Sequence, residues 1–199
     1  MFEVDLGPAE FRHAIQGLNS IYANEPNQIK EIAESKFFEY KIDVSTNSID
    51  ASTTTPFRMG AVVPKGEKYS AHTVYEPFSG MVDENGNKHS PVSGLYHELQ
   101  HGYDIFTMAK EFEKVKNFSK SAQEKVKSWY IARINWASSP TGIHGYISND
   151  ELGPTKKEAK YQAAFLGEQP RPNHRGVSYW AKWPFTIEST DGKYPSLPK

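Results

Sequence analysis

The chain has 199 residues, enough for one domain with a real core, and its 11 Tyr, 11 Phe and 4 Trp exclude a disordered polypeptide. A net charge of −1 supplies no electrostatic term favouring nucleic acid or an anionic lipid surface, and no apolar run approaches the roughly 18 residues that cross a bilayer. Cysteine is absent. Disulfides and thiolate ligands are thereby excluded, so any zinc site has to be built from histidine and carboxylate.

The N-terminal Met-Phe-Glu-Val-Asp-Leu-Gly-Pro has neither the basic nor the apolar region of a cleavable secretory signal. From Gly7 to about Asn24, Phe11, Ala14, Ile15, Leu18, Ile21 and Tyr22 recur at helical spacing and predict an amphipathic helix. A shorter helix is predicted from Asn27 to Ser35. Phe37 to Ser45 alternates apolar and polar residues from Phe38 onward and reads as a strand. Thr46 to Thr55 reads as loop. Two further strands are expected at Phe57–Pro64 and Tyr69–Tyr75, followed by a turn at Asp83-Glu-Asn-Gly-Asn87. The Tyr69–Tyr75 strand is the candidate sheet edge to which an extended peptide could add.

Ser90-Pro-Val-Ser-Gly-Leu-Tyr-His-Glu-Leu-Gln-His-Gly-Tyr-Asp104 reads as a helix, with Ser90 at the N-cap and Pro91 at the first helical position. Val92, Tyr96, Leu99, Tyr103 and Phe106 form one apolar stripe, and His97, His101 and Asp104 a second beside it. His97-Glu98-Leu99-Gln100-His101 is an H-E-x-x-H pattern. Residues four apart on a helix lie about 40° apart around the axis and about 6 Å along it. Two imidazoles so placed can reach one metal ion, with Glu98 positioned beside them as a proton acceptor. Beyond this helix a charged tail from Met108 to Lys116 is expected, then a helix over Ser119–Trp136, a loop over Ser138–Gly153 and a last helix over Thr155–Gly167. The tail from Gly176 is aromatic and Pro-rich.

A catalytic zinc site normally has three protein ligands. The continuation that places a third histidine six residues after the second is excluded, because Thr107 stands there. Asp104, Asp150, Glu151, Glu158, Glu168, His144 and His174 are the remaining candidates. Glu158 is the expected ligand, since it sits in the first turn of a helix able to pack beside the metal helix. A capping box, Thr155-x-x-Glu158, competes for the same side chain. Asp104 suits orientation of His101 better than ligation. His174, Arg175 and Tyr179, with Tyr146 behind them, are the candidates for stabilising a tetrahedral oxyanion.

The segment Leu95-Tyr-His-Glu-Leu-Gln-His-Gly-Tyr-Asp104 resembles the metal helix of secreted bacterial effector metallopeptidases. These are the type III effector proteases of metallopeptidase family ninety-one and related domains on Rhs and VgrG toxins. Glu158-Ala-Lys-Tyr-Gln-Ala-Ala-Phe-Leu-Gly-Glu-Gln-Pro-Arg171, with Arg175 and Tyr179 after it, is similar to the later helix that carries a glutamate ligand in that family. The resemblance implies an α+β, zincin-like fold with a small, mostly antiparallel sheet packed on the active-site helix and additional helices. It also implies a zinc endopeptidase holding Zn2+ through His97, His101 and Glu158, with Glu98 as the catalytic base and Tyr179, His174 and Arg175 assisting.

One domain spanning 1–199 is expected, with the N-terminal helices (about 1–35) and the aromatic tail (about 176–199) packed on it. The implied partners are a protein or peptide substrate and an immunity protein or secretion apparatus, without nucleic acid or membrane insertion. The implied location is outside the producing cell or inside a target cell, reached through a specialised secretion system. Two rival readings stand beside this one: a zinc amidase acting on cell-wall peptides, and a non-catalytic interaction module whose metal pattern is degenerate.

Overall fold

The computed structural model describes residues 9–45, 53–57, 67–134, 149–173, 175–190 and 192–193, without the side chains of 9, 53–57, 130–134 and 149–150. In chain order its elements are α1 (Ala9–Asn24), α2 (Pro26–Ala33), β1 (Phe38–Val44), β2 (Thr53–Phe57), β3 (Tyr69–Tyr75), β4 (Ser79–Asp83) and β5 (Lys88–His89). There follow α3 (Pro91–Val115), α4 (Lys120–Ile134), α5 (Asn149–Tyr161), a π-helical turn (Gln162–Leu166) and β6 (Gly176–Trp180). The architecture is α+β. The strands form two three-stranded sheets where one was expected, in the orders β1-β3-β2 and β5-β4-β6. β1 runs parallel to β3, while the other pairings are antiparallel. Among the described residues no helix is long and apolar enough to cross a membrane.

The 25-residue α3 is the hub. Its first half packs Val92, Leu95, Tyr96 and Leu99 against Ala14, Leu18 and Ile21 of α1, with Tyr75 and Tyr161 closing the cluster. Its second half packs Ile105, Phe106, Met108, Ala109 and Phe112 against Phe38, Tyr69 and Ala71 of the first sheet. The single apolar stripe read from the sequence is therefore incomplete. α3 is enclosed on several sides, so Ser93, His97, Glu98 and Gln100 are buried along with its apolar residues. Buried polar groups of this kind persist only when partnered, and that requirement shapes the site described below.

Two expectations are corrected by the topology. β3 is paired on both sides, by β1 and β2, so it offers no free edge to a peptide. The segment from Gly176 does more than wrap the body: β6 adds to β4 with Tyr179 opposite Gly80. The expected strand Phe57–Pro64 falls mostly outside the described residues, and β2 begins inside the segment read as loop.

Gly102 is required by packing. A Cβ there would stand 2.5 Å from Cζ of Tyr40. That ring cannot swing away freely, because its hydroxyl bonds Thr73 Oγ1 at 2.6 Å and donates to the Glu98 carbonyl at 3.2 Å. Overpacking of this kind costs roughly 1–3 kcal/mol, more than the about 1 kcal/mol that alanine gains over glycine within a helix. Gly102→Ala is therefore expected to lower the melting temperature by several degrees, measurable by calorimetry, even though it improves the local helix propensity.

Candidate metal centre

α3 starts where the sequence places it, with Ser90 extended at the N-cap and Pro91 first in the helix. The Ser90 hydroxyl, however, makes no capping bond. Other partners serve the helix start: the Glu168 carboxylate accepts from the Ser90 N–H at 3.2 Å, and the Pro184 carbonyl from the Val92 N–H at 3.0 Å. A carboxylate at this end also complements the helix dipole. The turn after β4 is fixed by Asp83, which accepts from the N–H groups of Asn85 and Asn87, both at 2.9 Å, with Gly86 at φ 81°.

One turn of α3 brings the imidazoles of His97 and His101 together, Nε2 to Nε2 3.0 Å. Both nitrogens lie against one oxygen of Glu151, at 3.1 Å from His97 and 3.2 Å from His101. The three atoms thus form a nearly equilateral triangle of metal-ligating type. Around a tetrahedral zinc with ligand distances of about 2.0–2.1 Å, neighbouring ligand atoms stand about 3.3–3.4 Å apart. The residues fit such an ion with adjustments of only a few tenths of an ångström.

Glu158, expected as the third ligand, is placed elsewhere. Its Oε2 lies 3.0 Å from Nδ1 of His97, on the far side of the ring from the triangle. Fully buried, it also accepts from Ser93 Oγ at 2.7 Å, Gln162 Nε2 at 3.0 Å and Arg171 Nη2 at 2.9 Å. A carboxylate so surrounded is the outer partner that fixes a ligating histidine, because Nδ1–H donating to it leaves the Nε2 lone pair facing the metal position. With that tautomer, Arg171 Nη2, also 3.0 Å from Nδ1, is a bond to Glu158 and only a neighbour of the ring. Burial, the largest influence on Glu158, favours the neutral acid, but Arg171, His97 and Ser93 outweigh it and hold the group below the usual carboxylate range.

The exchange of roles between Glu151 and Glu158 follows from where α5 begins. It starts at Asn149 and runs through Pro154, so Thr155 lies inside the helix and no capping box forms there. Glu151 and Glu158 are seven residues apart, two helical turns on one face. α5 therefore lies along the His97 ring and offers a carboxylate to each of its nitrogens.

His97 is 2% exposed. Burial opposes its charge most strongly, yet the hydrogen bonds to Glu151 and Glu158 prevail and raise its pKa to about 9. In the metal-free protein this raised value stabilises the fold fully below the ordinary 6.5, and the contribution fades as pH climbs through about 9. Metal ligation requires the neutral ring. Zinc uptake at pH 7.5 is thus expected to release about one proton from His97, with affinity rising about tenfold per pH unit below 9. Calorimetric titrations in buffers of different ionisation enthalpy would measure that proton directly.

Glu98 and His97 line one cleft of about 250 Å³ with Met81, Ser93, Glu158 and Arg171. Compared with protein-family models, curated proteins and solved structures, the chain matches none. What the site can do therefore rests on its own atoms: a three-cornered ligand set, one corner of which, His97, also lines a cleft that it shares with Glu98, Glu158 and Arg171.

Among the described residues, the expected assisting residues Tyr179 and Arg175 do not line this cleft. Tyr179 lays its ring across Gly80, points its hydroxyl at the His89 carbonyl 3.4 Å away and faces the Lys88 ammonium. Burial, reinforced by the charge of Glu168, raises its pKa. Arg175 is exposed, and its backbone N–H bonds Asn173 Oδ1 at 2.8 Å. His174, His144 and Tyr146 lie outside the described residues. The cation the cleft does receive is Arg171, 6% exposed. The sequence carried a signal for Glu151, its seven-residue spacing from Glu158; it carried none for the inward turn of Arg171.

Proposed function

We propose that this chain is a zinc-dependent endopeptidase of zincin-like plan, acting on a protein in a target cell as a secreted bacterial effector or toxin. The observation that carries this reading is the triangle of His97 Nε2, His101 Nε2 and Glu151 Oε2, with sides of 3.0, 3.1 and 3.2 Å, whose His97 lines the same cleft as Glu98. The likeness of the Leu95–Asp104 segment to effector metallopeptidase helices supports the substrate class and the mode of delivery. A chain without cysteine also tolerates the change of redox compartment that delivery entails.

When bound, zinc would supply a Lewis acid that acidifies a water and polarises a peptide carbonyl. His97, His101 and Glu151 would hold it, and Glu158 would keep the His97 ring in the ligating tautomer. Glu98 would accept the proton of the attacking water and return it to the departing amine. Arg171 would place positive charge in the cleft wall, offsetting the buried carboxylates around it.

Elemental analysis of protein purified without chelators is expected to find close to one zinc per chain. 1,10-Phenanthroline should abolish cleavage of a mixed peptide library, and added zinc should restore it. Protein that stays metal-free in micromolar zinc would refute the reading.

A further inference from the structure

Glu151, Thr155, Glu158 and Gln162 stand four, three and four residues apart, and so share one side of α5 and its continuation. On α3 the matching series is Ser93, His97 and His101. The two series meet as an antiparallel ladder: Glu151 against His101 and His97, Glu158 against His97 and Ser93, Gln162 against Ser93. Gln162 is the last rung, fully buried, and the first residue of the π-helical turn. That wider turn closes where the Gln162 carbonyl accepts from the Gly167 N–H, and single turns of this kind are frequent at functional sites.

The partners of the Gln162 amide decide its orientation. A carboxylate only accepts and a backbone N–H only donates, so Nε2 faces Glu158 Oε1 at 3.0 Å and Oε1 faces the Arg171 N–H at 3.1 Å. The second amide proton is left to Ser93 Oγ at 2.7 Å or His89 Nδ1 at 3.1 Å. Arg171 Nη2 in turn grips Glu158 Oε2 at 2.9 Å. Three residues thereby close a ring: Gln162 to Glu158, Glu158 to Arg171, Arg171 back to Gln162. Both oxygens of Glu158 are held, and Oε2 is kept 3.0 Å from Nδ1 of His97. An amide buried this deeply is costly unless both its atoms are paired. Methionine would fill similar space without that demand, so packing alone does not call for glutamine.

We propose that Gln162 is a positioning residue of the metal centre, acting on His97 through Glu158. This rests on the zinc reading and deepens it by naming the group that holds the outer carboxylate in line. Without the amide, Glu158 can turn toward Ser93 and Arg171, and the His97 ring loses the partner that keeps its Nε2 lone pair on the metal position.

Two variants test this. Gln162→Met keeps the length of the side chain and removes both amide bonds. Gln162→Asn keeps the amide but is one methylene too short to span Glu158 and Arg171. Both are compared with wild type by zinc competition with a chromogenic chelator, by melting of the metal-free protein, and by NMR of the His97 Nδ1–H in the zinc-loaded protein. Zinc affinity should fall about tenfold in Gln162→Met, the lower end of the range for groups that orient a ligating histidine, and the Nδ1 proton should exchange faster with water. The loss should not add to that of Glu158→Gln. The double variant should bind zinc little more weakly than Glu158→Gln alone, because a group working through Glu158 then has nothing left to align. Gln162→Asn decides in the same way if Gln162→Met does not fold. Variants that melt lower yet bind zinc and protect the Nδ1 proton as wild type does would make Gln162 a structural bridge and overturn the proposal, as would losses that add in full. A wild type that takes up no zinc sinks the metal reading itself, and this assignment with it.

Discussion

Replacing Glu151 with glutamine is expected to cut zinc affinity by more than roughly 100-fold, whereas Glu158→Gln should cost about 10–100-fold, the range associated with an outer partner of a ligating histidine. The order matters more than either value. Glu151 brings one oxygen to both imidazole nitrogens, 3.1 and 3.2 Å away, so its loss leaves two histidines that cannot hold the ion tightly. Glutamine at 158 can still accept from Nδ1 of His97, and a weakened site survives. Stability should follow the opposite order. Glu158 is fully buried with Arg171 Nη2 at 2.9 Å, and stripping a buried cation of its partner costs about 3–5 kcal/mol. Glu151 is only partly buried, so its replacement should cost the metal-free fold less, chiefly the support it gives the charged His97 ring. Zinc competition with a chromogenic chelator and melting curves of the metal-free proteins read the two orders separately. If Glu158→Gln empties the site while Glu151→Gln leaves it filled, the ligand assignment is reversed.

That contrast marks how far the sequence could be read. The two histidines and Glu98 were legible because the chemistry is local: three and four residues along a helix fix their relative placement whatever the rest of the chain does. The β3 strand was legible from its alternation, Tyr69, Ala71, Thr73 and Tyr75 pointing one way and buried, and so was Gly167, which ends the π-turn at φ 67°. Glu151 stood among the candidates but was passed over for Glu158, for a local reason. Gly153-Pro154 looks like a helix break, and only packing of α5 against α3 carries the helix through it, a tertiary effect that propensity does not contain. β3 was misjudged as an edge because pairing partners are set by topology, and its parallel neighbour β1 lies some thirty residues earlier in register. The displacement of Tyr179 and Arg175 from the site has the same origin. The register of β6 on β4 sets Tyr179 opposite Gly80, and register is a property of two strands that neither sequence displays alone.

Glu98→Gln should lower kcat/KM for peptide cleavage by about 10²–10⁴-fold, the usual worth of a positioned general base, and leave zinc stoichiometry at one. The two effects separate because Glu98 is not a corner of the ligand triangle, yet it lines the same cleft as His97. Glutamine preserves its shape and removes the one property the reaction uses, a lone pair basic enough to accept a proton. The loss should fall on kcat more than on KM, since proton transfer belongs to the transition state and substrate binding does not. At 7% exposure the side chain is packed in the interior, and glutamine keeps its volume there, so Glu98→Gln should fold and hold zinc as the wild type does. Full activity in this variant would remove Glu98 from the mechanism, and parallel losses of zinc and activity would make it a structural prop of the metal site.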